Sequence, residues 1–513
     1  MSDRRYYVTS PIYYVNDSPH IGHAYTTLAC DVLARFMRLD GRDVMFLTGT
    51  DEHGQKVEKS AAAAGVAPKE FTDRVSENFR ALAKAMNFSN DDFIRTTEPR
   101  HIRSCQALWQ RLVERGEIYL GKYSGWYAVR DEAYYAEDEL TTTPAGKKLA
   151  PSGAEVEWVE EPSYFFRLSA WQDRLLKFYD ENPDFIAPDV RRNEVTSFVR
   201  GGLRDLSVSR TSFKWGVPVP GDPAHIMYVW LDALTNYITA AGFPDTGSAS
   251  FRKFWPADLH MVGKDIVRFH AVYWPAFLMA ADLQPPRRVF AHGWWTNEGQ
   301  KISKSLGNVI DPIALIERYG LDQVRYFLLR EIPFGNDGDF SHRAMVNRMT
   351  GDLANDYGNL AQRVLSMINK NCAAAVPKPG SFNDADKSLL DAAEGLYQRV
   401  FADLWRQAFH TALDSMWQVI AMANRYVDEQ APWALNKTDP ARMATVLYVV
   451  AETVRRLSIL AQPFMPDSCG RLLDQLAVPA ETRKFNALGT ALVPGTALPK
   501  PVGVFPRFVE KAS

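Results

Sequence analysis

Three short segments at the start of the chain restrict its fold more than anything else in the sequence. Residues 6–10 are a β-prone run, residues 24–38 carry Leu28, Val32 and Phe36 at helical spacing, and residues 44–47 read as a buried strand closing at Thr48-Gly49-Thr50. Strand, helix and strand within about fifty residues make a βαβ unit of the doubly wound type, whose parallel strands open a ligand crevice at their carboxyl ends. Residues 9–14 and 49–53 fall at that crevice.

From residue 117 to about 220 the sequence turns aromatic, acidic and turn-rich, with Thr141-Thr142-Thr143-Pro144 and Pro151-Ser152-Gly153, and reads as an inserted module. The α/β alternation returns with strands at 259–263 and 289–291 and an amphipathic helix at 266–281 between them. Beyond Ile310 almost everything is helical. Phe409, Leu413, Trp417, Ile420, Ala423 and Val427 form one stripe, and Met443, Leu447, Val450, Val454, Leu457 and Ala461 another. Residues 492–504, rich in Pro and Gly, read as an extended tail. The expected architecture is a Rossmann-type α/β domain in two halves, 1–116 and 223–295, split by an insertion at 117–222. A loop region at 296–350 and an all-α bundle with its tail at 351–513 follow.

A chain of 513 residues suits two to four packed units. It is 46% apolar and 23% charged, and no uninterrupted apolar run of about 18 residues could cross a bilayer. The start, Met1-Ser2-Asp3-Arg4-Arg5, has no apolar signal region, which argues against secretion. The four cysteines, Cys30, Cys105, Cys372 and Cys469, show no C-x-x-C spacing, against both a disulfide framework and a cysteine-built zinc site. A cytoplasmic location is expected. A formal charge of −2 means that any nucleic acid must be met by local basic patches.

Two motifs carry chemistry. His20-Ile21-Gly22-His23 follows the first strand and opens the first helix, where Gly22 lets a nucleotide near the backbone and two imidazoles three apart share a face. Taken alone, such a pair more often packs or caps than binds a nucleotide. Lys301-Ile302-Ser303-Lys304-Ser305 puts two ammonium groups on a loop, able to neutralise a transferring phosphoryl group or to be a solvated basic turn. The pair decides: one motif sits on the first βα turn and the other after the last strand. Adenylate formation needs charge stabilisation on both sides of the α-phosphate.

On these residues the chain resembles the class I aminoacyl-tRNA synthetases, with His20 to His23 as the HIGH signature and Lys301 to Ser305 as the KMSKS loop, Ile302 replacing the usual Met. Within that class it is similar to the methionyl family over essentially its whole length. The segments carrying this are Pro11-Ile12-Tyr13-Tyr14-Val15-Asn16, Thr48-Gly49-Thr50-Asp51-Glu52-His53-Gly54, Tyr228-Val229-Trp230-Leu231-Asp232-Ala233 and Gly263-Lys264-Asp265-Ile266. The resemblance implies methionine–tRNA ligase activity: ATP and Mg2+ activate L-methionine to an adenylate, and the methionyl group passes to tRNA(Met), initiator tRNA included. It implies a methionine pocket of Ile12, Tyr14, Trp230, Ala233, Tyr237 and His292, with Asp51 for the α-ammonium. His20, Gly22, His23, Gly263, Asp265 and Lys304 would bind ATP, and His20, His23, Lys301 and Lys304 would be catalytic. Aromatic walls suit a thioether.

Relatives often carry a zinc knuckle of paired C-x-x-C elements in the insertion. Here Ala128 and Asp131 stand where the first cysteine pair would lie and Ala150-Pro151-Ser152-Gly153 replaces the second, so a knuckle without structural zinc is expected, held by aromatic residues. The insertion is also too short for a separate editing domain. In the bundle, Asn359, Arg363 and Trp433 match the family's anticodon-reading elements, and the resemblance implies a CAU anticodon. Arg325, Arg330, Arg343 and Arg348 are expected to offer positive charge to the inner side of the tRNA. A monomer without membrane attachment is expected. A cysteinyl-type enzyme would need cysteine or histidine zinc ligands, and a non-catalytic tRNA-binding relative would be expected to have lost a signature histidine or lysine.

Overall fold

The computed structural model describes residues 4–15, 18–131, 133–302 and 307–510. β1 (Arg5–Tyr14), α1 (Ile21–Leu39) and β2 (Asp43–Asp51) form the opening βαβ unit. With β3 (Asp92–Arg95), β7 (Ile186–Ala187), β9 (Leu259–Gly263) and β10 (Val289–His292) they build a six-stranded parallel sheet in the order β3-β2-β1-β9-β10-β7. The segment between 117 and 222 opens with a long antiparallel hairpin of β4 (Ile118–Ala128) and β6 (Glu157–Phe166), flanked by β5 (Ala133–Tyr135) and β8 (Leu206–Ser207). It then returns to the main sheet, because β7 is that sheet's edge strand.

Strand alternation assigns the two faces. Tyr6, Val8, Phe46, Leu259, Met261 and Phe290 enter one core, while Tyr7, Met45, Leu47, Val262, Val289 and Ala291 enter the other. The first core is continuous with the C-terminal bundle, where α8 (Phe409–Gln430) and α10 (Pro440–Ala461) bury the two stripes anticipated above. Sheet and bundle therefore share one apolar interior. The expected helix at 266–281 is subdivided into a short 3-10 turn, a π-helical segment (Phe269–Tyr273) and an α-helix (Trp274–Ala280). The tail at 492–504 has no regular structure, yet buries Leu492, Leu498 and Val504 in the bundle core. Among the described residues no helix is long and apolar enough to cross a membrane.

The sharpest correction concerns the expected basic patch. Arg325, on α6 (Leu321–Arg330), has no exposed side-chain surface; it donates to Asp31 Oδ2 (2.6 Å) and to the carbonyls of Met86 (3.0 Å), Pro463 (2.8 Å) and Phe464 (3.0 Å). Arg330 pairs with Asp414 at 2.6 Å, and Arg348 with Glu331 at 2.7 Å and Asp352 at 3.0 Å, leaving Arg343 exposed. Helical spacing places Asp352 beside Arg348 but could not reveal Asp31, Asp414 and Glu331, which reach these guanidiniums from other segments.

Asp31 also takes Arg35 Nε at 2.8 Å and Ser89 through its backbone N (2.6 Å) and hydroxyl (2.7 Å). Burial alone would raise its pKa, but Arg325, Arg35 and Ser89 together hold it below the ordinary carboxylate range. Its contribution to stability is therefore complete above that range and is lost as pH falls through the lowered value. Arg325→Met, which strands a buried carboxylate, is expected to cost about 3–5 kcal/mol in chemical or thermal denaturation. Arg325→Lys should recover little, since one ammonium cannot span four acceptors on two sides. An unchanged unfolding midpoint for the methionine variant would refute this account.

Candidate active site

The carboxyl ends of β1, β2, β9 and β10 surround a cavity of about 400 Å3. It is lined by Ile12, Tyr14, His20, Gly22, His23, Asp51, Trp230, Ala233, Tyr237, Gly263, Asp265 and His292, twelve of the residues singled out above. They come from segments more than 200 positions apart in sequence, brought together because neighbouring parallel strands all end at the same sheet edge.

Local sequence explains each approach. The pairing of β1 with β2 shifts between Thr9 and Ile12, where Pro11 has no N–H to give, and the shift turns the following residues toward the cavity. His20 is the N-cap of α1: its Nδ1 accepts from Gly22 N at 3.1 Å, while His20 N donates to His23 Nδ1 at 3.0 Å. The two imidazoles lie 3.9 Å apart. A Cβ on Gly22 would come within 2.9 Å of the His20 ring, so glycine is needed there for the cap itself. Burial lowers the pKa of His20, opposed by Asp265, and lowers that of His23 well below its usual value, aided by His20. Both rings are neutral at pH 7 and present N–H groups and lone pairs, not cations.

Consecutive residues at the end of β2 face three ways. Asp51 lines the cavity. Glu52 turns away, gripping Arg95 through both oxygens (2.6 and 2.9 Å) and accepting from Thr50 and Thr97. His53 Nδ1 meets Asp232 Oδ2 at 2.7 Å, and Asp232 Oδ1 meets His101 Nε2 at 2.7 Å. Asp232 is fully buried; its pKa would rise by burial but is held well below the carboxylate range by the two histidines. It lies on the short helix Val229–Leu234 that carries Trp230 and Ala233 to the cavity, so the brace sets the pocket wall.

Trp230 stacks on Phe269, with ring centroids 3.5 Å apart and an interplanar angle of 11°. Tyr237 is buried, its hydroxyl 2.7 Å from His270 Nε2, while His270 Nδ1 faces the Ile266 carbonyl at 3.0 Å. That carbonyl can only accept, so Nδ1 carries the proton and the tyrosine donates to Nε2. Burial lowers His270 to about 4, which keeps it neutral. His292 Nε2 lies 2.7 Å from Thr26 Oγ1.

Sequence reading missed several lining residues: Thr26, Lys56, Arg130, Asp131, Ile266, His270 and Trp294. Thr26 follows His23 on the same helix at three-residue spacing, a usable signal; Arg130 and Asp131 reach the cavity only because the insertion folds back over it. In the knuckle, Ala128, Ala150, Ala154 and Val156 form a small apolar core against Trp126, Tyr135 and Leu140, and Asp131 accepts hydrogen bonds from Tyr135 and Ser152.

The lysine motif begins inside a small sheet of β11 (Trp295–Asn297), β12 (Gln300–Lys301) and β13 (Gly338–Phe340). Lys301 ends β12, paired with Thr296, whereas Lys304 lies outside the described residues. Asn359, Arg363 and Trp433 are on the bundle, away from the cavity lining. Asn359 is exposed at the start of its helix, Arg363 pairs with Asp428 at 3.0 Å, and Trp433 is 50% exposed. The preceding helix stops at Gln430, Ala431 adopts φ 44°, and Pro432 starts a new short helix (Pro432–Thr438) that carries Trp433.

Comparison with known proteins agrees with this geometry. Residues 6–365 match the family model of class I tRNA synthetases (M), and residues 376–512 that of the anticodon binding domain of methionyl tRNA ligase. Methionine–tRNA ligase of Mesorhizobium japonicum is 60% identical, over 100% of this chain and 99% of the relative, and that of Brucella suis 59%, over 99% of each. A Mycobacterium tuberculosis methionyl-tRNA synthetase solved with methionyl-adenylate is 56% identical with a TM-score of 0.96, covering 98% of this chain and 100% of that one. The same enzyme in its free state gives 0.91 at 53% identity, over 99% of each chain. With twelve signature residues around one cavity and full-length relatives of a single kind, the chain belongs to the class I tRNA synthetases of the methionine type, the methionine–tRNA ligases.

Proposed function

We propose that the cavity activates methionine by in-line attack of its carboxylate on the α-phosphorus of ATP, forming the adenylate and releasing pyrophosphate, before transfer to tRNA(Met). The convergence of the twelve residues on one cavity carries this reading, and methionyl-adenylate in the similar mycobacterial structure supports it. Ile12, Tyr14, Trp230, Ala233, Tyr237 and His292 take the thioether side chain, and Asp51 the α-ammonium. His20 and His23, neutral and packed at the start of α1, donate N–H groups to phosphate oxygens, Gly22 keeps that end of the helix open, and Gly263 and Asp265 face the adenosine. Lys301 and Lys304 draw off pyrophosphate. Magnesium would enter with the nucleotide and supply counter-charge to its phosphates.

The division of labour follows the segments: 1–116 and 223–295 for activation, 117–222 over the cavity, 296–350 for the lysine loop, and 351–513 for the anticodon. Trp433 would stack on a CAU base while Asn359 and Arg363 read base edges. The working enzyme is a cytoplasmic monomer that charges initiator and elongator tRNA(Met). ATP–pyrophosphate exchange with each of the twenty amino acids tests the reading. Exchange with methionine alone is expected, falling by about 10²–10³ in kcat for His23→Ala and less for His23→Asn, which keeps a neutral donor. Because both histidines are already neutral, the rate should not fall between pH 7 and 8; a fall there would overturn their neutral role.

The knuckle works without zinc, its apolar core and hydrogen bonds standing where thiolates would bind. His101, Cys105 and Asp232 are the one metal-like trio among the described residues. Their donor atoms lie 2.7 Å (His101 to Asp232) and 3.1 Å (His101 to Cys105) apart, hydrogen-bond separations shorter than the roughly 3.3 Å or more that tetrahedral zinc imposes. Elemental analysis of the purified protein is expected to find no stoichiometric zinc, and chelator should leave both the thermal midpoint and exchange activity in restored magnesium unchanged.

A further inference from the structure

Trp294 lines the same cavity, is 45% exposed, and has no part in the reaction as assigned above. An indole so open to water is nevertheless tied down. Its backbone N–H donates to Asp337 Oδ1 at 2.8 Å, its Nε1–H donates to Asp265 Oδ1 at 3.2 Å, and the Lys264 ammonium stands 4.4 Å from its ring centroid. Lys264 in turn donates to both oxygens of Asp337 at 2.7 Å. Lys264, Asp337, Trp294 and Asp265 thus close a ring of contacts joining the end of β9 to the segment after β10 and to the loop before β13. The loops meet closely: a Cβ on Gly293 would lie 2.3 Å from the Asn336 carbonyl oxygen.

The ring of contacts acts on Asp265. Its Oδ1 sits 2.5 Å from where a Cβ on Gly263 would be, so the carboxylate folds back over a glycine that makes room for it, and the indole N–H holds it there. Among the described residues no side-chain or backbone donor reaches its second oxygen, which belongs to a side chain lining the cavity. A carboxylate fixed at the carboxyl end of a parallel strand with one oxygen available suits the hydroxyls of a ribose. Neutral aromatic N–H donors such as indole fix such a carboxylate without cancelling its charge.

We propose that Trp294 is a positioning residue for the nucleotide: its N–H locks Asp265 in the orientation that accepts the ribose hydroxyls of ATP, and the Lys264–Asp337 pair anchors the indole. This rests on the assignment of Gly263 and Asp265 to the adenosine side. The test is methionine-dependent ATP–pyrophosphate exchange by the full chain with ATP and with 2′,3′-dideoxy-ATP, which lacks both hydroxyls. Wild type is expected to prefer ATP by about tenfold or more in kcat/KM. Trp294→Phe keeps the ring and removes the N–H; it should shrink that preference to about threefold or less through the KM for ATP, leaving the KM for methionine unchanged. Asp337→Asn, which loosens the anchor from outside the cavity, should move the same ratio in the same direction. An undiminished preference in Trp294→Phe, a parallel rise in both nucleotide KM values, or no preference in wild type would overturn the proposal. Absence of exchange with every amino acid in wild type would instead strike down the activation reading, and this inference with it.

Discussion

The buried pair of Arg325 and Asp31 is the constraint on which the rest of the molecule turns. Asp31 lies on α1, the helix whose first turn holds His20 and His23, and Arg325 reaches from α6 to bind it while also capturing carbonyls of the bundle at Pro463 and Phe464. One planar guanidinium satisfies acceptors from the sheet domain and the bundle together, which a single hydrophobic contact could not specify. Both charges are removed from water, so neither can be left without the other. The shared apolar core joins the two units, and the ion pair adds a directional contact between them.

At the cavity, backbone devices do as much as side chains. The pairing shift at Pro11 redirects the end of β1, Gly22 leaves room for a capping imidazole, and Gly293 lets the Asn336–Asp337 backbone approach. Charge is then sorted by the alternation of strand ends: Asp51 inward, Glu52 outward to Arg95, and His53 sideways to Asp232. Desolvation keeps the histidines of the site neutral, so they offer N–H groups and lone pairs to a ligand and no cationic charge. In the knuckle, three alanines and a valine close a small apolar core of their own, separate from the two large ones.

Much of this was legible in the sequence. Short apolar β-prone runs and helical stripes indicated the opening βαβ unit, the split sheet and the bundle, because burial is written locally in apolar runs and fixed spacings. Strand ends alone placed residues 9–14 and 49–53 at one crevice, since parallel strands end at a common edge, while the remaining pocket residues came from the family resemblance. Spacing could not say which arginine is exposed. Arg325, Arg330 and Arg348 look alike on a helix, and their fates depend on Asp31, Asp414 and Glu331, none of which spacing selects.

By itself, then, the sequence determined the fold class, the catalytic signatures and the family, because these depend on periodicity and short motifs. Only the tertiary structure decided which polar groups lose water and who partners them. It brought Asp232 between two histidines from separate segments, tied Trp294 to Asp265, and folded Arg130 and Asp131 over the cavity. Partner choice across hundreds of residues follows from three-dimensional proximity and the high cost of an unmatched buried polar group, and neither is a local property of the chain.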